Sequence, residues 1–314
     1  LIKEKADMKE KAVVFAGQGA QAVGMGLDIA AANPSCRALF DKADEVLGFK
    51  LSKLCFEGPL EELTKSSNCQ PAIFVMSTAC WKAFSDKAGS VPVKGTAGLS
   101  LGEWSALHMA GALTFEDTLR VLQARGRFMQ EACEEKKGGM VSVIGLANDK
   151  LMEVCANSGV EIANLNSAEQ TVLSGEFQAI QAAEKLAKEA GAKKTVVLNV
   201  AGAFHSKLMT SAANKLREFL AKVEIHQPGI PVVANTTGMP HGGPDDIRSM
   251  MVRQVTSSVR WISCVNWFKN NGVTDYVECG PGKVLSGLIR RIYAGSSAVS
   301  ISDVASLDKA VTMP

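Results

Sequence analysis

Short apolar runs and longer amphipathic stretches alternate along most of the chain, the texture of an α/β protein. KAVVFAGQGAQAVGMG begins with β-branched and aromatic residues and breaks at Gly17 and Gly19, which predicts a buried strand entering a glycine-rich loop. Helices are predicted around 35–47 and over 70–85, the second with Pro71 suited to its first turn. A strand-like run from 91 ends at Leu99 and SLGEWSALHMAGAL continues as a helix, so strand and helix meet at Ser100. Thr114 and Asp117 have the spacing of a capping box, opening a helix, TFEDTLRVLQARGRFMQEACEE, that should end near 136–139.

The pattern shortens between 139 and 200. GMVSVIGL, NDKLMEVCANSG, VEIANLNS, QTVLSG, EFQAIQAAEKLAKEAG and KKTVVLNV read in turn as strand, helix, strand, strand, helix and strand, the βαββαβ order of a ferredoxin-like unit. Strand and helix patterns resume afterwards with PVVAN, an Arg- and Trp-containing helix and DYVECGPG. The expected division is therefore a core from 1–136 and 204–314, with a small subdomain, 137–203, inserted into it.

Composition narrows the class. A chain of 314 residues that is 46% hydrophobic can bury a large core. Its 34 Lys and Arg against 32 Asp and Glu leave a net charge of +2, too little for a broad nucleic-acid footprint, so any basic site for an acidic partner must be local. No run approaches the ~18 apolar residues of a membrane span and no secretory h-region opens the chain. The charged leader LIKEKADMKE is compatible with transit-peptide removal or with an arbitrary boundary. The 8 cysteines, at 36, 55, 69, 80, 133, 155, 264 and 279, form no CxxC pair and have no histidine at ligand spacing. They are expected to be reduced, buried or half-buried thiols, with no metal site.

The chemistry begins at Gly98-Leu99-Ser100-Leu101-Gly102. In this GxSxG pattern the glycines allow a strained strand-to-helix turn that lifts a serine oxygen off the sheet; alone, the pattern also fits a structural turn. The Leu101 N–H, at the helix N-terminus, can donate to an oxyanion. The serine needs a base, and there are 4 histidines. His108 lies eight residues further along the helix that Ser100 opens, roughly 12 Å away at 1.5 Å per residue. His226 and His241 fall in the Pro- and Gly-containing connections IHQPGIP and MPHGGP, where a solvated loop histidine is expected. Elimination leaves His205, at the boundary between TVVLNV and a helix-like stretch, as the candidate base. No acidic third member of a triad is evident.

Arg125 has Val121, Leu122, Phe128 and Met129 as its i±3 and i±4 neighbours, so its guanidinium emerges from an apolar stripe, whereas Arg127 lies off that face. Arg125 either snorkels to water, pairs with an internal carboxylate, or waits as a fork for a substrate carboxylate. The last reading distinguishes a carrier of dicarboxylic acyl groups from a lipase-like hydrolase. The loop at Gln18 can supply a second oxyanion donor or be a tight turn.

GQGAQAVGMG, QPAIF, GLSLGEWSAL, RGRFMQEA, IANLNS, GAFHSKLM, VRQVTSSVRW and VECGPGKVLSGLI run through nearly the whole chain in the order found in the malonyl-CoA:acyl carrier protein transacylases of dissociated fatty acid synthesis, which the chain resembles. The resemblance implies a hydrolase-like α/β core with a parallel sheet and an inserted ferredoxin-like α+β subdomain. It implies Ser100 as the acyl-bearing nucleophile, His205 as its base and Arg125 as the binder of the malonyl carboxylate. It places the oxyanion hole at the Gln18 and Leu101 N–H groups and has Gln254 orient the histidine through a neutral contact. Phe204 resembles the malonyl-selective form, and Lys283, Arg290 and Arg291 the docking surface for an acidic carrier protein, although a solvated helix face accounts for them equally. The implied cycle is ping-pong, with malonyl-CoA and acyl carrier protein as partners, no metal or redox cofactor, and a monomeric enzyme. A polyketide acyltransferase of different acyl preference and a serine thioesterase are the competing activities. The elbow carries Leu99 where the commoner bacterial form is GHSLGE, a departure that resembles plastid-type members; a bacterial-type cytoplasmic enzyme is the alternative. Trp104 and Cys279 also replace commoner residues.

Overall fold

A computed structural model describes residues 9–312; most of the charged leader, at 1–8, lies outside the described residues. The chain enters through β1 (Lys11–Phe15), every residue of which is buried. Five helices follow: α1 (Leu27–Ala32), α2 (Pro34–Leu47), α3 (Leu51–Glu57), α4 (Leu60–Thr64) and α5 (Ser66–Ala88). β2 (Val93–Gly98) then leads into α6 (Leu101–Met109) and α7 (Phe115–Glu135). Thr114 caps α7, accepting from the Asp117 N–H at 3.0 Å, as its spacing predicts.

Pro71 does not open its helix: α5 starts five residues earlier, at Ser66. A proline inside a helix forfeits the hydrogen bond to the carbonyl four residues back, and packing against α7 offsets that loss. The two helices meet backbone to backbone, since a Cβ on Gly126 would stand 2.2 Å from the Ser66 carbonyl oxygen. Gly126→Ala should therefore destabilise the fold by about 2–3 kcal/mol despite alanine's better helix propensity. Urea unfolding measures this, and an unchanged or raised midpoint would contradict the close approach.

The middle of the chain builds β3 (Gly138–Ile144), α8 (Asn148–Ser158), β4 (Glu161–Ser167), β5 (Gln170–Glu176), α9 (Phe177–Glu189) and β6 (Lys194–Val197). These strands form an antiparallel sheet in the order β4-β5-β3-β6, the predicted ferredoxin-like arrangement. Its β4 edge is stitched to the rest of the molecule by Leu165 N–H to Val259 O at 2.9 Å and Val259 N–H to Ala163 O at 2.8 Å. After it come α10 (Thr210–Leu220), α11 (Pro244–Gln254), α12 (Trp261–Asn270), β7 (Asp275–Cys279), α13 (Val284–Ile292), β8 (Ser297–Ile301) and α14 (Val304–Val311). PVVAN does not form a full strand. It touches the main sheet through the single parallel bridge between Val232 and Thr96, and then turns away so that Asn235 reaches the end of β2.

The main sheet is parallel, in the order β2-β1-β7-β8. Val13 and Phe15 of β1 join the core under α5, α6 and α7, and Ala12 and Val14 join the one under α12 and α13. Burial on both faces explains the unbroken apolar run. Register places Phe15 beside both Gly98 and Cys279. The loop after β1, the turn after β2 and the loop after β7 thus leave the sheet at one end, where parallel α/β sheets bind ligands.

Candidate active site

Ser100 sits where β2 turns into α6, with φ 56° and ψ −104°. Left-handed backbone is unfavourable for a residue with a Cβ and persists only where its surroundings enforce it. Three contacts do so here. A Cβ on Gly98 would lie 2.0 Å from the Gly102 carbonyl carbon, and one on Gly102 2.3 Å from Phe15 O, so both glycines are required for backbone to pass backbone. Asn235 then closes the turn: its Oδ1 accepts from Ser100 N–H at 2.7 Å and its Nδ2 donates to Gly98 O at 2.8 Å.

His205 lies 2.9 Å from Ser100 Oγ through Nε2, and its Nδ1 stands 2.9 Å from the backbone carbonyl oxygen of Gln254. Since a carbonyl only accepts, Nδ1 carries the proton and Nε2 is free to accept the serine hydroxyl. The neutral contact expected from Gln254 is this carbonyl. Its side chain has a separate task, described below. His205 also has left-handed backbone, with φ 59°. Burial, reinforced by the nearby Arg125 charge, lowers the His205 pKa to about 4, so the ring is neutral and basic at neutral pH.

Arg125 is 1% exposed, inside the apolar stripe that its helical neighbours predict, while Arg127 faces solvent and pairs with Glu131. One Nη of Arg125 donates to Gln70 Oε1 at 2.7 Å, and the other donates to Ser100 Oγ at 3.0 Å and Gln254 Oε1 at 3.0 Å. Burial lowers its pKa to about 10 and the Glu103 carboxylate opposes that shift, leaving the guanidinium cationic. A serine oxygen flanked by an imidazole acceptor and a guanidinium donor is equipped for acyl transfer from carboxylate-bearing substrates.

Gln18 follows Gly17, whose Cβ would lie 2.8 Å from Leu99 O, so the glycine-rich loop packs directly on the turn that holds Ser100. The side chain of Gln18 donates to Ser66 Oγ at 3.2 Å, and the N–H groups of Gln18 and Leu101 have no hydrogen-bond partner among the described residues. Phe204, 7% exposed, precedes His205 in the core. A groove of about 380 Å³ between the antiparallel sheet and the core is lined by His205, Ile162, Thr236, Arg253, Ser257 and Arg260 among others. A larger hollow of about 540 Å³, lined by Phe49, Asn68 and Arg127 among others, contains none of these reacting groups. Lys283, Arg290 and Arg291 are exposed around α13; Arg290 is tied back to the Ala298 carbonyl and Arg291 approaches Gln170 at 3.5 Å.

One expectation is overturned. His241 is not a solvated loop histidine: its side chain is 0% exposed and its Nε2 lies 2.7 Å from Glu103 Oε1. The Pro- and Gly-rich connection around it folds inward because His241 N–H bonds to Val232 O at 2.8 Å. Sequence reasoning also missed Gln70, Glu103 and Asn235 as members of the site. Gln70 and Glu103 stand within QPAIF and GLSLGE, and a polar residue bordering an apolar helical run was the available signal.

The chain matches the acyl transferase domain family over residues 12–301. It is 40% identical over 309 residues to the malonyl CoA-acyl carrier protein transacylase of Bacillus subtilis, covering 97% of each chain. Against the protein of the same name from Escherichia coli K12 it is 38% identical, covering 98% of this chain and 100% of that one. Among solved structures, the malonyl-transacylase in a complex with its type II polyketide acyl-carrier protein superposes with a TM-score of 0.93 at 40% identity, over 96% of this chain and 99% of that one. The acyl carrier protein S-malonyltransferase of Vibrio cholerae does so with a TM-score of 0.92 at 38% identity, over 96% and 100%. With a parallel α/β core and a ferredoxin-like sheet shared with these structures, the chain belongs to the malonyl-CoA:acyl carrier protein transacylases of the acyl transferase family.

Proposed function

We propose that this enzyme moves a malonyl group from malonyl-CoA to the phosphopantetheine thiol of holo acyl carrier protein, holding it on Ser100 between the two. The observation that carries the reading is the Arg125 guanidinium 3.0 Å from Ser100 Oγ. That separation suits an acyl group whose carboxylate is one methylene from its carbonyl. His205 Nε2 takes the Ser100 proton as Oγ attacks the thioester carbonyl, and the Gln18 and Leu101 N–H groups hold the resulting oxyanion. Collapse expels coenzyme A, whose sulfur recovers the proton from His205. The carrier thiol then repeats the sequence in reverse: it yields its proton to His205, attacks the malonyl ester, and Ser100 leaves with that proton. Every proton is handled by His205, so the cycle asks for no metal or redox cofactor.

The groove beside His205 gives the pantetheine arm a path, with Arg253 and Arg260 as cations for its phosphate. Lys283, Arg290 and Arg291 offer a face for an acidic carrier, and Phe204 leaves little room for the branch of methylmalonyl. Intact mass spectrometry tests the activity: a malonyl adduct that passes to holo carrier protein is expected. An adduct lost to water regardless of carrier would identify a thioesterase instead. Two of the similar proteins are named for polyketide synthesis, and side-by-side assays with fatty acid and polyketide carriers decide which the enzyme prefers. Leu99 supports a plastid-type source although the named relatives are bacterial; a fluorescent fusion of the full reading frame in plant cells separates the two by where the label collects.

The pH dependence follows from the His205 shift. Lowering its pKa from 6.5 to about 4 extends the neutral, basic form downward in pH. Acylation kcat/KM should stay level from pH 8 to about pH 5 and fall with a midpoint near 4. A midpoint near 6.5 would mean that the imidazole is not held in the desolvated state described above.

A further inference from the structure

Behind Arg125 lies a chain of buried groups that the transfer steps do not use. Gln254 accepts from the Arg125 guanidinium through Oε1 at 3.0 Å, and its Nε2 donates to Glu103 Oε2 at 2.6 Å and to Ser100 O at 3.0 Å. Glu103 is 0% exposed. Its Oε2 also accepts from Asn235 N–H at 3.0 Å, and its Oε1 lies 2.7 Å from His241 Nε2. Arg125 and Glu103 are thus opposite buried charges with one neutral amide between them.

That amide has two possible orientations and only one is tolerable. Turned over, Gln254 would present its NH₂ to the guanidinium and its oxygen to a carboxylate and a carbonyl, making each of the three contacts repulsive. The carboxylate therefore dictates which way Gln254 faces, and Gln254 in turn holds the guanidinium beside Ser100. Glu103 needs a donor of its own, because Oε1 receives nothing from Gln254 or Asn235, and a buried carboxylate oxygen without a donor is strongly disfavoured. His241 supplies it from the loop before α11. The charged groups facing His241 are Glu103 on α6 and Asp246 on α11, whose Oδ2 stands 3.9 Å from Nδ1, beyond hydrogen-bond reach.

We propose that the His241–Glu103 pair positions Arg125 through the Gln254 amide and so sets the enzyme's preference for carboxylate-bearing acyl groups, an inference that rests on the transferase reading above. His241→Met removes the donor at similar bulk. Its kcat/KM with malonyl-CoA should fall about tenfold relative to that with acetyl-CoA, while the reaction of Ser100 with an uncharged sulfonyl fluoride stays at the wild-type rate. His241→Gln, whose amide can still donate to Oε1, should restore the ratio, which a purely space-filling role would not predict. Wild-type enzyme that takes no malonyl group from malonyl-CoA overturns the transferase reading. Wild-type transfer with an unchanged acyl preference in folded His241→Met overturns the positioning role alone. Should the variants fail to fold, nitrogen NMR of the wild-type protein decides: a proton on His241 Nε2 is required, and a bare Nε2 would end the proposal.

Discussion

Ser100→Ala enzyme should form no malonyl adduct and should transfer at least about 10⁴-fold more slowly than wild type, the scale of loss seen when an acyl-carrying nucleophile is removed. The change is local. Alanine keeps the Cβ, so the φ 56° backbone is no more strained than before, and Gly98, Gly102 and Asn235 still enforce the turn. What disappears is the oxygen that lies between His205 Nε2 at 2.9 Å and an Arg125 Nη at 3.0 Å. Intact mass after incubation with malonyl-CoA reads the result directly. A variant that still acquired a covalent malonyl group, on any other residue, would move the nucleophile elsewhere.

Arg125→Ala should lower malonyl transfer by about 10²–10³-fold while acetyl transfer falls far less, reversing or erasing the preference between them. Breaking a buried charge pair costs about 3–5 kcal/mol, and each 1.36 kcal/mol is tenfold in rate. On the proposed mechanism the partner lost is the substrate's own carboxylate. The variant also leaves Glu103 without its opposing charge and removes a donor from both Gln70 and Gln254, so a lower unfolding temperature should accompany the change in preference. Measuring kcat/KM for both thioesters separates the effects, because instability alone reduces them in proportion. An unchanged malonyl-to-acetyl ratio would remove Arg125 from acyl selection.

The parts of this site that the sequence discloses are those set by local spacing. Two glycines flanking Ser100 are needed because backbone passes backbone within the same turn, and the apolar neighbours of Arg125 all lie on its own helix. The βαββαβ order of the small sheet is likewise carried by periodicity. Asn235, Glu103 and His241 were not legible, because their roles arise from contacts between segments 132 to 138 residues apart. No periodicity encodes such a meeting. A connection rich in Pro and Gly predicts a solvated His241, yet backbone bonds from His241 to Val232 and from Ala234 to Met239, with the side-chain contact to Glu103, turn the loop inward. Pro71 misled for a related reason: tertiary packing at Gly126 carries the helix upstream past a residue that local rules would place at its start.

Both Ser100 and His205 hold left-handed backbone with side chains that disfavour it. Glycine would be more comfortable at either position, since it adopts positive φ freely, so on the proposed mechanism the most relaxed versions of this fold are inactive ones. A screen that rewarded heat tolerance alone would drift toward glycine at 100 and 205 and lose turnover as it gained stability. Thermostable descendants of this enzyme must therefore be selected for acyl transfer and for survival at once.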